Sequence, residues 1–316
     1  MSSGYALVFP GQGSQYVGMG RGLWNASAKA RELFTIADDT LSYRLSGLCF
    51  EGPEAELRET ANAQPAILVV SIAAFTLLRE AAEGELSPRF VAGHSLGEFS
   101  ALVAAGALSF ADALRLVRRR GELMSAAGQA RPGTMAAVLG LDDGEVEAAC
   151  AEAAFAGIVV VANYNSAGQT VISGEPAAVE RAGEIAKAKG ARRVIPLPVS
   201  GAFHSPLMEP ALEPFRRAVA ECRIADPRWP VVGNVGARPL DSADEVRREL
   251  GGQLVSPVRW ARSIEYMAEE GTGLFVEVGP GQVLAGLIKR NRALRATNVE
   301  GPDSAASVAL ALRGGS

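Results

Sequence analysis

The chain has 316 residues, of which 48% are hydrophobic and 21% charged, and its formal net charge is −4. That length supports one large domain or two modest ones. A slightly acidic chain has no global pull toward nucleic acid or an anionic membrane. Cys49, Cys150 and Cys222 stand singly, so nothing is spaced like a metal site and an odd count argues against a disulfide framework.

The first residues have no basic region followed by a long apolar run, so no signal peptide is expected. A short apolar strand is predicted over Tyr5 to Phe9, followed by the turn Pro10-Gly11-Gln12-Gly13. The most apolar stretch, Ile67 to Leu78, is too short to span a bilayer and reads as a buried helix. These features predict a globular protein of the cytoplasm. A second strand, Arg89 to Ala92, runs into Gly93-His94-Ser95-Leu96-Gly97 and an apolar helix from Glu98 to Leu108. Phe110 to Ala127 reads as another helix.

The pattern changes at about residue 130. Thr134 to Leu139 reads as a strand, Asp142 to Ala154 as a helix, and Ile158 to Ala162 and Gln169 to Ser173 as strands joined by an Asn-Ser-Ala-Gly turn. A helix over Pro176 to Lys189 and a strand over Arg192 to Ile195 follow. The order β-α-β-β-α-β is ferredoxin-like and predicts a small domain, 130–198, inserted into a larger one formed by 1–129 and 199–316. Gly273 to Val278 is a last strand, with Gly279-Pro280-Gly281 and a helix through Ile288 behind it. Strand, glycine turn and helix therefore recur three times. That recurrence predicts an α/β fold with a parallel sheet covered by helices. About twenty residues at the end, with Gly301-Pro302 and Gly314-Gly315, read as a loose tail.

Gly-x-Ser-x-Gly between a strand and a helix is the nucleophile-elbow pattern. It lifts Ser95 to the carboxyl edge of the sheet, where the next helix N-terminus favours negative charge. The chain has two histidines. His94 adjoins the serine and leaves the backbone on another side, so it is a pocket-wall or hydrogen-bonding residue, or simply packed. His204, in Ser200-Gly201-Ala202-Phe203-His204-Ser205, is the candidate base. On a wheel at 100° per residue, Arg115, Arg118, Arg119 and Glu122 lie opposite Ala113, Leu116, Val117, Leu123 and Met124, whereas Arg120 falls within the apolar side. Arg118 and Arg119 are expected to be solvated and Arg120 buried. A buried guanidinium wants an anion, either an internal carboxylate or a substrate's. The turn Gly11-Gln12-Gly13 lacks the third glycine of a dinucleotide site, because position 16 is Tyr16. It suits a backbone N–H brought close to a reacting carbonyl. Two basic clusters, Lys187, Lys189, Arg192, Arg193 and Lys289, Arg290, Arg292, are solvated faces by default, and either is able to dock an acidic partner.

Four ordered motifs carry a family resemblance. They are Phe9-Pro10-Gly11-Gln12-Gly13-Ser14-Gln15, Gly93-His94-Ser95-Leu96-Gly97-Glu98, Gly201-Ala202-Phe203-His204-Ser205 and Glu277-Val278-Gly279-Pro280-Gly281. Together they resemble the malonyl-CoA:acyl carrier protein transacylases over about residues 5 to 290. The resemblance implies an α/β-hydrolase-like large domain and a ping-pong transfer of malonyl from coenzyme A to the phosphopantetheine thiol of an acyl carrier protein. It implies no permanently bound cofactor and no metal, with malonyl-CoA as substrate. By position, Ser95 is then nucleophile and His204 base, and the backbone N–H groups of Gln12 and Leu96 form the oxyanion hole. Arg120 holds the malonyl carboxylate, and the carbonyl of Gln253 orients the histidine in place of an acidic third member. Phe203 matches malonyl-selective members, and Asn163 and Asn165 border the cleft. Two rivals stand beside this reading: a trans-acting acyltransferase of a polyketide pathway, and a non-catalytic module that binds carrier protein.

Overall fold

The computed structural model describes residues 4–314. Its first five strands are β1 (Gly4–Phe9), β2 (Phe90–Gly93), β3 (Thr134–Leu139), β4 (Val159–Ser166) and β5 (Gln169–Gly174). The other five are β6 (Arg193–Pro196), β7 (Val231–Val232), β8 (Pro239–Leu240), β9 (Thr272–Val278) and β10 (Arg295–Val299). Six of them form one sheet in the order β10-β9-β1-β2-β7-β8, parallel throughout except for the β7–β8 pair at one edge.

Strand β1 shows why this sheet is covered on both faces. Its residues from Ala6 to Phe9 are all fully buried, as an unbroken apolar run requires. Successive side chains alternate. Leu7 and Phe9 enter one apolar cluster with the helix Thr60–Ala81, while Ala6 and Val8 enter another with Trp260 and Met267.

That helix is longer than its apolar run suggests. It has 22 residues, because the polar stretch from Thr60 to Gln64 joins its N-terminal end and Gln64 is fully buried. By length and hydropathy it is able to cross a membrane, yet 83% of its apolar window is buried inside this protein. Its partner, Phe110–Ala130, carries Arg120. The two helices approach so closely that a Cβ on Gly121 would lie 2.7 Å from the Ala61 Cα. Four helices between Arg21 and Arg58, unread in the sequence, pack against the Thr60–Ala81 helix.

The remaining strands form an antiparallel sheet in the order β4-β5-β3-β6, with helices Asp143–Ala153 and Pro176–Ala188 following β3 and β5. The βαββαβ order matches the expectation. Strand β4 outruns its predicted end, so the predicted four-residue turn shrinks to Ala167-Gly168. The reason lies in the neighbouring chain. Tyr164 N–H donates to the Val258 carbonyl at 2.9 Å and Val258 N–H to the Ala162 carbonyl at 2.8 Å, a parallel bridge that holds β4 extended.

The expected loose tail is a correction. Residues 295–299 pair with β9 as strand β10, and Pro302–Gly314 is a helix whose Ala305, Val308 and Ala309 enter the same cluster as the Thr60–Ala81 helix. Gly301-Pro302 begins that helix rather than loosening it, since proline is well suited to a helix's first turn.

Candidate active site

Three glycine turns leave the carboxyl ends of β1, β2 and β9, and the first two build the site. After β2 the chain reverses through His94-Ser95-Leu96 and begins the helix Gly97–Ala104 at once. So sharp a reversal puts Ser95 at a φ of 50°, in the left-handed region. A non-glycine residue there stores strain of roughly 1–3 kcal/mol. Gly97 is required by contact as well, because a Cβ on it would lie 2.0 Å from the Phe9 carbonyl oxygen.

His204 also has a left-handed φ, 57°, and is buried at the loop that follows β6. Its Nε2 lies 2.8 Å from Ser95 Oγ. Its Nδ1 lies 3.0 Å from two carbonyl oxygens, those of Gln253 and Ser256. Carbonyls only accept, so Nδ1 carries the hydrogen and Nε2 presents its lone pair to the serine hydroxyl. Burial, reinforced by the Arg120 cation, depresses the imidazole pKa to about 3, so it is neutral at physiological pH. Burial lowers the His94 pKa too. Its Nε2 bonds Asn165 Oδ1 at 2.8 Å and its ring meets Trp260 edge-on, so it lines the site without reaching the serine proton.

Arg120 is 1% exposed. Its Nη1 donates to Gln64 Oε1 at 2.9 Å, and its Nη2 to Gln253 Oε1 at 2.9 Å and to Ser95 Oγ at 3.1 Å. All three acceptors are neutral. No carboxylate forms an ion pair with it among the described residues, and its buried Nε has no acceptor there. Burial lowers its pKa to about 10, which still leaves it charged at neutral pH. Of the two meanings the wheel left open, the internal salt bridge is not formed among the described residues. Arg119 is exposed as expected, whereas Arg118 is not simply solvated: it donates to Asn62 Oδ1 at 2.7 Å and to the Ala61 carbonyl at 3.1 Å.

A cavity of about 290 Å³ joins these groups, with Gln12, Ser95, Arg120, Met135, Phe203 and His204 in its wall. Asn163 also lines it. The N–H groups of Gln12 and Leu96 face no acceptor among the described residues, leaving two main-chain donors beside the serine. The geometry brings together a serine hydroxyl, a neutral imidazole, spare N–H donors and a buried cation that forms no ion pair among the described residues, a set able to support acyl transfer from a carboxylated donor.

Residues 6–310 match the family described as the acyl transferase domain. The chain belongs to this family. It is 48% identical over 301 residues to the malonyl CoA-acyl carrier protein transacylase of Bacillus subtilis (strain 168), covering 95% of this chain and 94% of that one. A solved acyl carrier protein S-malonyltransferase from Vibrio cholerae O1 biovar eltor superposes with a TM-score of 0.93 at 42% identity, covering 97% of this chain and 100% of that one. A malonyl-transacylase solved with a type II PKS acyl-carrier protein superposes with a TM-score of 0.94 at 43% identity, covering 98% and 100%.

Within this acyl transferase fold, the structure adds residues that the sequence did not single out. Gln64 and the Gln253 side chain hold Arg120, the Ser256 carbonyl shares the His204 proton, and Asn234 Oδ1 accepts the Ser95 N–H at 2.6 Å. Glu277, in the fourth motif, accepts from the N–H groups of Leu284 and Ala285 and so caps the helix Val283–Ile288. The two basic clusters converge. Arg192, Arg193, Lys289, Arg290 and Arg292 line a single surface groove of about 700 Å³, while Lys189 is taken up by Glu145 and Glu152.

Proposed function

We propose that this chain transfers a malonyl group from malonyl-CoA to the phosphopantetheine thiol of an acyl carrier protein, through a malonyl ester of Ser95, in the cytoplasm and for fatty acid synthesis. The observation that carries this reading is Arg120, a buried cation 3.1 Å from Ser95 Oγ that forms no ion pair with a carboxylate among the described residues. A neutral acyl chain would leave that charge uncompensated, whereas a malonyl carboxylate takes it in a bidentate pair.

In the first half-reaction His204 Nε2 accepts the Ser95 hydroxyl proton as Oγ attacks the thioester carbonyl. The oxyanion receives the N–H groups of Gln12 and Leu96. Collapse breaks the C–S bond, and the imidazolium returns its proton to the coenzyme A sulfur. In the second, the carrier thiol gives its proton to Nε2 and attacks the ester, and Ser95 recovers the proton as it leaves. The Gln253 and Ser256 carbonyls take the orienting place that an acidic residue holds in a Ser–His–Asp triad. Because Arg120 contributes to the depressed basicity of His204, a bound carboxylate that offsets its charge strengthens the base. The acyl group itself then helps to activate its own transfer. Phe203 lines the cavity beside His204, and a bulky ring at that place supports malonyl over methylmalonyl.

These steps draw on side chains, main-chain groups and the substrate, with no resident cofactor. The groove that gathers five basic side chains suits an acidic carrier. Residues 130–198 we read as a small domain inserted between 1–129 and 199–316. A separate apolar cluster that includes Val138, Val146, Ile172 and Ala182 supports this division. The relative solved with a type II PKS carrier favours a second reading, the same chemistry serving a polyketide pathway. Purified protein incubated with malonyl-CoA is expected to give a malonyl adduct on Ser95 by mass spectrometry, then malonyl on added carrier. Release of free malonate without carrier acylation would overturn the transfer. Competition between fatty acid and polyketide carriers separates the two pathways.

A further inference from the structure

Asn234 lies two residues past β7, which pairs in parallel with β2. Val232 stands opposite Ala92, so the chain leaving β7 runs beside the chain that turns through Ser95. The Asn234 side chain is 1% exposed and every polar atom of its carboxamide is used on that turn. Its Oδ1 accepts the Ser95 N–H at 2.6 Å, and its Nδ2 donates to the Gly93 carbonyl at 2.7 Å. Its own main-chain N–H donates to Glu98 Oε2 at 2.9 Å. One residue is thereby tied to the elbow before the serine, at the serine and one helical turn after it.

We propose that Asn234 is a positioning residue for the nucleophile, holding Ser95 in its left-handed conformation so that Oγ meets His204 and the Leu96 N–H faces the oxyanion. The proposal rests on the acyl transfer assigned above. Ser95 occupies a backbone region that costs energy, so something must over-determine it. Its carbonyl is held from the other side by Gln253 Nε2 at 3.1 Å. With both peptide groups of Ser95 fixed by side-chain amides from distant parts of the chain, the hydroxyl's direction is set by the fold rather than by solvent. Displacing a reacting group by about 1 Å costs on the order of 100-fold in rate, so this grip is felt in the chemical step.

The chemistry demanded at position 234 is specific: an acceptor toward Ser95 N–H and a donor toward the Gly93 carbonyl. An amide supplies both. A carboxylate supplies only the first and sets an anion against the carbonyl, but a neutral carboxylic acid again supplies both. The groups facing an acid there are the buried carboxyls of Glu98, on the elbow helix, and Glu249, on the helix Ala243–Gln253, with Arg238 beside Glu249 and Arg120 beside Glu98. Glu98 and Glu249 accept from the main-chain N–H groups of Asn234 and Val235, and burial at this position favours the neutral acid as the pH falls.

The test is the rate of malonyl-Ser95 formation, by rapid quench and mass spectrometry, for wild type, Asn234→Asp and Asn234→Ala between pH 8 and 5, with thermal unfolding as control. Asn234→Asp is expected to acylate about 100-fold more slowly at pH 8, with KM for malonyl-CoA within about twofold of wild type, and to recover as the pH falls. Asn234→Ala, which titrates nothing, is expected to be slow at every pH. A merely structural role predicts lower melting temperatures with near-wild-type rates well below them. The proposal is overturned if Asn234→Ala acylates within threefold of wild type, if the Asp variant's deficit is the same at every pH, or if KM rather than rate moves. Should the Asp variant not fold, the Ala variant decides. Absence of acylation in wild type would instead sink the malonyl reading.

Discussion

Arg120 and His204 compete electrostatically for the same small space, and each sets the other's chemistry. A guanidinium that forms no ion pair among the described residues depresses the imidazole, so replacing it has two effects. Arg120→Ala is expected to lower kcat/KM for malonyl-CoA by about 100-fold or more, the scale of truncating one partner of a buried charge pair. It is also expected to raise acylation by acetyl-CoA, because His204 becomes more basic. Unchanged malonyl transfer would remove Arg120 from the site. The depressed imidazole also has a pH signature. With a pKa of about 3 in place of 6.5, kcat/KM for acylation stays level from about pH 8 to about pH 5, where a free histidine would already be lost. The sign for stability follows from the same depression. Below pH 6.5 the unfolded chain takes up a proton that the folded chain refuses until about pH 3, so stability falls with falling pH through that window. Acid titration of wild type against His204→Gln checks it. Ser95, His204 and Arg120 were legible because a five-residue turn, a count of two histidines and a wheel each leave a one-dimensional trace. Gln64, Asn234 and the Ser256 carbonyl were not. Neutral amides and main-chain atoms have no periodicity, and their partners are brought near only by the fold.

At the scale of elements, strand–turn–helix units read well where one apolar run makes one element. Strands β1, β2 and β9 were each placed to within a residue or so, since buried parallel strands are mostly apolar runs with glycine behind them. Elements defined by what they pack against read less well. Thr60 to Gln64 extend a helix because Gln64 has Arg120 to hold, and β4 extends because Val258 pairs with it. The last twenty or so residues read as a tail for want of a strong pattern, yet β9 supplies the hydrogen bonds that make 295–299 the strand β10. Truncation after residue 294 is therefore expected to leave β9 as an uncovered parallel edge and to cause aggregation, visible by size-exclusion chromatography. The elbow is less tolerant still. Gly97→Ala forces a Cβ against the Phe9 carbonyl, and a stability loss of about 3 kcal/mol or more is expected in urea unfolding.

Across the whole molecule, two basic clusters far apart in sequence meet in one groove, flanked by the turn that ends β4 and by the segment after the helix Val283–Ile288. Charge reversal at Arg193 and Arg290 together is expected to raise KM for carrier protein by about tenfold or more, with a steep salt dependence in wild type that the variant loses. An unchanged KM would place the carrier elsewhere. The sequence listed both clusters but offered no means of bringing them together. The bridge between β4 and Val258 has a mechanical meaning. The run Gln253–Val258 grips the imidazole through the Gln253 and Ser256 carbonyls at one end, and at the other it is stitched to the antiparallel sheet. It works as a tie-rod: any parting of the two sheets wide enough to break that stitch would slacken the hold on the His204 tautomer. A gaping cleft that admits water would thus be a cleft whose base has lost its bearing.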